Sequence, residues 1–260
     1  MTMIAFGSGS TSIKPIMDSS GNSIANPTPQ TIPGQQSFDF SLDSDFKTFH
    51  GVGRFALYAA PGKTKASGKV TGLINGRLIR DIWAGGTMTA GTIQQVYSTP
   101  AAGIQIPSAS PVTVDVTTLL PTGATWVEDL GMLDSAGRPM ECVASAPATG
   151  QYSVANGVYT FAVADEGKTV FNKSLYSMAA PAAKNISLDN ISMGSGPVCK
   201  LVYYTKYQGK SVLIVLLNVV FPKLALLAAK NDDYSSQNME FEAFADMATG
   251  TTLGYIYISE

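Results

Sequence analysis

The segment Ser235–Asp246, SSQNMEFEAFAD, alternates in a way that only an extended chain can use. At period two it places Met239, Phe241, Ala243 and Ala245 on one side. Asn238, Glu240, Glu242, Phe244 and Asp246 fall on the other. One face can enter a core, and the other carries three carboxylates with no lysine or arginine among them. Just upstream, Val212–Phe221, VLIVLLNVVF, is apolar at every position but Asn218. Such a run predicts a strand buried on both faces, or a hydrophobic edge that another subunit covers. A chain that makes both strands builds a sheet with a packed side and an acidic side. That is an architecture for a wall or a surface rather than for a pocket.

With 260 residues the chain can bury a real core, as one large β domain or two smaller ones. Charged residues make up 14%, against roughly 25% in ordinary globular proteins. Two readings of so sparse a charge stay open: surface covered by neighbours, or a Ser/Thr/Gly-rich β protein solvated by neutral polar groups. A net charge of −2 provides no electrostatic footprint for tight nucleic-acid binding. No apolar run approaches the roughly 18 residues of a membrane span, so no membrane partner is expected. The start, MTMIAFGSGSTS, lacks the basic and apolar regions of a secretory signal. Cys142 and Cys199 share no metal or redox spacing and are expected to be free thiols in a protein made in a reducing cytoplasm.

Residues 1–35 show little periodicity and much Gly, Ser, Asn and Pro, which predicts an extended arm, disordered or laid against a partner. Solid strands are expected at Gln36–Leu42 and Arg54–Ala60, the second closed by a Pro61-Gly62 turn. Lys63–Gly72 then alternates with Lys63, Lys65, Ser67 and Lys69 on one face, and strand-face lysines also discourage unwanted edge pairing. The spacing of Ile74, Leu78 and Ile82, with Leu73, Ile79 and Trp83 alongside, predicts one helix over 73–84. Gly76 inside it costs about 1 kcal/mol relative to alanine, so docking must hold it. From Ile104 to Met178 every signal is β, with a type I′ hairpin at Asn156-Gly157. Pro181–Pro197 reads as loop with one short strand, Lys223–Ala229 as loop or a turn of helix, and Tyr255–Ile258 as a last strand.

Signals for chemistry are few. The one histidine, His50, sits in the turn-like KTFHGVG and reads as a surface or turn residue. Gly62-Lys63-Thr64 imitates the end of a phosphate loop, but Leu57 stands where that motif needs glycine. The acidic pairs Glu128-Asp129, Asp165-Glu166 and Asp232-Asp233 could each hold calcium, although such pairs at strand ends are ordinarily just solvated. Neither an enzyme nor a cofactor or metal site is expected.

Several segments in order resemble one family: NPTP, DFSLDSDFKTFHG, RFALYAAPGKTKASGKVTG into INGRLIRDIWAGG, WVEDLGMLDSAGRPMECVAS, GQYSVANGVYTFAVAD and MEFEAFADMATGTTLGYIYISE. From about Asn26 onward the chain resembles the major tail tube proteins of long-tailed, siphovirus-like bacteriophages. The ending YIYISE is bulkier and more apolar than the endings of such proteins. The resemblance implies a mainly β fold, a sandwich or half-barrel with one packed helix, spanning 36–260 behind the 1–35 arm. Residues 104–193 form a β-rich block within it, part of the sandwich or an outward insertion. It implies a virion protein, made in the host bacterium, that assembles into hexameric rings stacked as a hollow tube. Its partners would be copies of itself, a tape-measure protein, and tail terminator and tip proteins, with double-stranded DNA passing through unbound.

In that setting Glu240, Glu242 and Asp246 are expected to face the bore, where a negative wall lets phosphates pass. Lys63, Lys65, Lys69, Val212, Ile214 and Leu216 are expected at contacts between subunits or rings. Alternatives are another phage component, such as a capsid decoration or tail-completion protein, and a carbohydrate-binding β-sandwich. The last would want clustered exposed tryptophans, whereas Trp83 lies in the helix stripe and Trp126 is alone.

Overall fold

The computed structural model describes residues 7–50, 52–84, 88–108, 110–190, 192–194, 196–227, 236–245, 250 and 252–259. The chain divides into two compact units, Met1–Met88 with Ile186–Glu260, and Thr89–Asn185. Both are mainly β, as the alternation predicts. The first unit contributes β1 (Ser10–Met17), β2 (Gln30–Thr31), β3 (Ser37–His50) and β4 (Ala56–Gly72). The second contains β5 (Met88–Ser98), β6 (Ile104–Gln105), β7 (Thr113–Asp115) and β8 (Ala124–Asp134). It continues with β9 (Glu141–Cys142), β10 (Gln151–Ala155), β11 (Val158–Phe161) and β12 (Thr169–Ile186). The first unit resumes with β13 (Val198–Tyr207), β14 (Lys210–Ala225), β15 (Gln237–Ala243) and β16 (Gly254–Ser259).

In the first unit one sheet runs β2-β1-β13-β14-β15-β4-β3, with β16 also paired to β14. The apolar strand β14 is long enough to serve two neighbours on one side. Ser211–Leu216 pair with β16, and Val219–Ala225 pair with β15. Between Val220 and Lys223 its register slips around Pro222, which has no N–H to give to a ladder. Val212, Ile214, Leu216, Val219 and Phe221 are buried, whereas Leu213, Val215, Leu217 and Val220 are half-buried. Of the two faces expected to be buried, one is fully so.

The sheet curls. Phe38 of β3 stacks on Tyr203 of β13, with ring centroids 3.9 Å apart and planes 5° from parallel, although several strands separate them in the sheet. This closes a core of Ile13, Val70, Leu201, Met239 and Phe241. Gly68 permits it: a Cβ there would collide with the Phe241 ring and the Asp39 carbonyl oxygen. The helix α1 (Gly76–Ile79), extended by a π-helical stretch at Arg80–Ala84, seals this core with Leu78 and Ile82, 1% and 2% exposed. It begins later than 73 because the Asn75 side chain accepts the Leu78 N–H at 2.8 Å and caps it. Gly76 is thereby the first helical residue rather than an interior one, so its cost is smaller than for an interior glycine.

The extended arm expected over 1–35 is corrected. Ser10–Met17 is an internal strand, laid antiparallel to β13 over most of its length, and Ile13 is wholly buried. Its inward face is Thr11, Ile13 and Pro15, so only one side chain announces burial by its type. β2 then pairs with β1, and Gln30 donates to Asp81 of the helical segment at 2.6 Å. Three further expectations shift. Pro61-Gly62 is not a turn but lies inside β4, Lys223–Ala225 end β14, and β12 runs on to Ile186.

The second unit consists of two four-stranded sheets, β7-β11-β10-β9 and β5-β12-β6 with β8 also on β12. Its core is Ile106, Val114, Val116, Met132, Tyr159, Phe161 and Val170. Asn156 and Gly157 have φ of 50° and 83°, the two left-handed residues a type I′ turn demands. The expected block 104–193 is thus a compact unit of its own with bounds 89–185.

The burial of β1 has a direct consequence. Ile13→Ala should lower the stability of the first unit by about 3 kcal/mol in urea unfolding. Removing residues 1–17 should abolish its cooperative transition; an unchanged midpoint in the truncated chain would restore the free-arm reading.

Candidate functional site

Strand β15 buries Met239 and Phe241 completely and turns Asn238, Glu240 and Glu242 to the other face, as its alternation predicts. That face is not an unbalanced acidic one. Sequence shows only what lies along a strand, and the neighbouring strands supply the bases. Lys223 of β14 donates to Glu240 at 2.7 Å, and Lys65 of β4 meets Glu242 at 2.5 Å. Register sets Lys69 opposite both Glu240 and Asp39, and Thr71 donates to Asn238 at 2.7 Å. Asp39, Asp43, Glu240 and Glu242 therefore share the face with Lys65, Lys69 and Lys223. The Glu242 carboxylate hydrogen-bonded beside it holds the Lys65 ammonium above its usual range. These pairs are well exposed and individually worth little. Between them lies a shallow depression of about 410 Å3 over Ser67 and Gly68. Asp246, assigned to the same face, lies outside the described residues.

The residues expected at contacts divide. Lys63 and Lys65 are exposed and Lys69 half-buried. Val212, Ile214 and Leu216 are 4%, 6% and 3% exposed, packed into the chain's own core and paired through β13 and β16. They are core residues rather than an exposed seam, which corrects their assignment, and Val212 and Ile214 reach the surface only at the bottom of a groove beside β16. The apolar run was long for the reason that β14 is the centre of its sheet. His50 lies exposed at the end of β3, its Nε2 3.2 Å from the Thr48 hydroxyl oxygen. Among the described residues no group of His, Cys, Asp or Glu comes together as a metal site, and no helix is long and apolar enough to cross a membrane.

A surface that the sequence reading passed over is the outer half of the β3–β4 hairpin. β15 pairs with β4 only from Ala66 to Gly72, so, among the described residues, 56–65 have β3 alone as a partner. On this two-stranded ribbon Phe46 is 71%, Phe49 64%, Phe55 86%, Leu57 63% and Tyr58 75% exposed. Phe49 sits opposite Tyr58, and Phe46 opposite Pro61 on the alternate face, so both faces are apolar. The signal was present as DFKTFH and RFALYAA, but register slips at Ser44/Phe46 and Phe49/His50 break the alternation that would have shown it. A second apolar surface is β16, where Tyr255, Ile256 and Tyr257 are each about half exposed. Beside it a groove of about 400 Å3 is lined by Phe40, Leu42, Tyr203, Val212 and Ile256.

In the second unit two of the acids expected to be solvated are structural. Asp129 accepts hydrogen bonds from the Tyr152 and Tyr159 hydroxyls, at 2.5 and 2.8 Å. Asp165 is 1% exposed. Their apolar surroundings hid this, because sequence adjacency to Glu128 or Glu166 says nothing about which of the pair turns inward. Asp232 and Asp233 lie outside the described residues.

No protein-family model and no curated protein matches the chain.

Burial, reinforced by the Asp129 carboxylate, pushes both phenols well above the ordinary tyrosine range. Each stays protonated in the folded state at a pH where the unfolded chain has released its proton. Their contribution to stability is therefore constant below about pH 10 and falls as pH rises above it, by up to about 1.4 kcal/mol per pH unit per phenol. Alkaline urea titration of Tyr152→Phe should show a shallower decline than the parent chain. Equal slopes would remove this coupling.

Proposed function

We propose that the chain is a self-assembling virion structural protein of the tail-tube type. Its copies form rings, expected to be hexameric, that stack into a hollow tube around a tape-measure protein and later conduct double-stranded DNA. The observation that carries this is the β3–β4 ribbon. Monomeric proteins seldom expose contiguous apolar patches beyond a few hundred Å2, and this one exposes aromatic rings on both faces of a projecting hairpin. The low charge content fits a surface largely covered by neighbours.

The ribbon and the β16 edge are different surfaces, so a contact between them is heterologous. Heterologous contacts generate rings when the rotation closes and open stacks when it does not. A free edge strand adds a ladder through which a neighbour's strand can continue the sheet. Both properties suit a tube and serve a self-contained monomer poorly.

The face of Glu240 and Glu242 is proposed as the bore wall, with its character revised. With lysines interleaved it is close to neutral, neither gripping phosphates as a basic wall would nor repelling them strongly. Lys65 and Lys69 lie within that face, and Lys63, where β4 leaves the sheet for the ribbon, is proposed at its rim, in reach of a neighbouring subunit or ring.

Purified chain examined by negative-stain microscopy should form tubes of uniform bore. Changing Phe46, Phe49 and Phe55 together to serine should leave the unfolding transition within about 0.5 kcal/mol, since these side chains are solvated in the monomer, and should leave only unstacked rings or monomers. A closed oligomer that never stacks would favour a decoration protein, and monomers at high concentration would end the proposal. A ring map with Glu240 and Glu242 outermost would remove the bore assignment alone.

A further inference from the structure

The cavity at one end of the second unit, between the β8–β9 turn and the loop before β12, is about 580 Å3, within the usual range for small-molecule sites. We infer that it binds a small neutral polyhydroxylated ligand, a mono- or disaccharide. This is independent of the tube reading.

The site is built from two ion pairs that face the cavity. On one side the Asp134 carboxylate accepts the N–H groups of Ala136 and Arg138, both at 2.9 Å, and fixes the Arg138 guanidinium at 2.8–2.9 Å. On the other, the buried Asp165 carboxylate accepts the Gly150 N–H at 2.8 Å and holds the Lys168 ammonium at 2.6 Å. Each base is anchored by its own acid, yet the Arg138 and Lys168 side chains remain 78% and 54% exposed and keep donors free. The floor between them is apolar: Ile106 and Val170, each 1% exposed, with Met140 half-buried. Thr149 brings a hydroxyl to the lining.

Charge decides among ligand classes. Each cation is already neutralised by a carboxylate in contact, so the cavity has no surplus positive charge to attract phosphate or a carboxylate. A calcium ion would have to displace Lys168 from Asp165, whose oxygens already serve an ammonium and a backbone N–H. A sugar asks for what is present. Its vicinal hydroxyls need donors and acceptors side by side, which the free N–H groups of Arg138 and Lys168 and the partly exposed Asp134 carboxylate offer, and its C–H face needs an apolar floor. Because the bases are held by their acids before any ligand arrives, little side-chain freedom remains to be lost on binding.

The full chain should be titrated with free glucose, galactose, mannose, rhamnose and N-acetylglucosamine, followed by NMR, with inorganic phosphate and calcium chloride as parallel arms. At least one sugar should shift the Thr149 and Gly150 amides, and no shift there should accompany phosphate or calcium. Arg138→Ala should weaken that binding about tenfold, the loss of one charge-assisted hydrogen bond. Thr149→Trp, which fills the cavity mouth, should abolish it, with the unfolding transitions of both variants unchanged. Sugars that shift neither amide, binding unchanged in Arg138→Ala, or a response to phosphate or calcium alone would each overturn the inference. The amide shifts need no variant, so a misfolded Thr149→Trp would still leave the question decided.

Discussion

The ladder of β14 is the constraint on which the first unit depends. Its 16 residues are held by β13 along one edge, and by β16 and then β15 along the other. Every strand that bears a proposed role is positioned from it. β15 takes its register from the second half of β14, β4 from β15, and β3 from β4, which aims the hairpin outward. Backbone pairing has to be complete in a buried strand because an unpaired N–H or C=O there is costly. The slip around Pro222 is where the ladder tolerates a gap, and it is also where Lys223 turns to reach Glu240.

What could be read from the residues follows how local each signal is. The inward faces of β15 and β4 were legible because their apolar positions alternate with polar ones within a few residues, and Met239, Phe241, Ala66 and Val70 are all buried. The Asn156-Gly157 turn was legible because its backbone angles need those residue types. By contrast, β1 escaped notice because Thr11 and Pro15 fill positions where a hydrophobe would have revealed the pattern. The charge balance of the outer face escaped because Lys65 and Lys223 are remote from Glu242 and Glu240 in sequence and adjacent only across the ladders. Val212, Ile214 and Leu216 misled for a related reason: an apolar run looks the same whether a neighbour or the chain's own sheet covers it.

Cross-strand pairing also changes what the outer face can do. A strand with consecutive outward acids would be destabilised by self-repulsion, and opposite charges on adjacent strands relieve it. The lysines of β4 thus serve the folded chain first. Their effect on anything passing along the surface is secondary, since exposed paired charges project weakly beyond about 8 Å at physiological salt. The bore wall proposed for this face would be smooth electrostatically, which is a different device from a uniformly negative one and would arrive at a similar indifference to phosphate.

The outer hairpin is the place where the chain alone is poorly satisfied, and the proposed assembly would relieve it. A two-stranded ribbon beyond its sheet is marginal in water, since its ladder is solvated and it has no second layer against which to pack. Here that weakness is compounded by Phe46, Phe49, Phe55, Leu57 and Tyr58, all exposed. Burying a large apolar side chain of this kind is worth about 2 kcal/mol, so these four aromatic rings and one leucine are a large driving force for any contact that covers both faces. The β16 edge and its groove offer strand and apolar surface together. A hairpin that inserted between such surfaces would gain a second layer, and its order and the proposed assembly would then depend on one another.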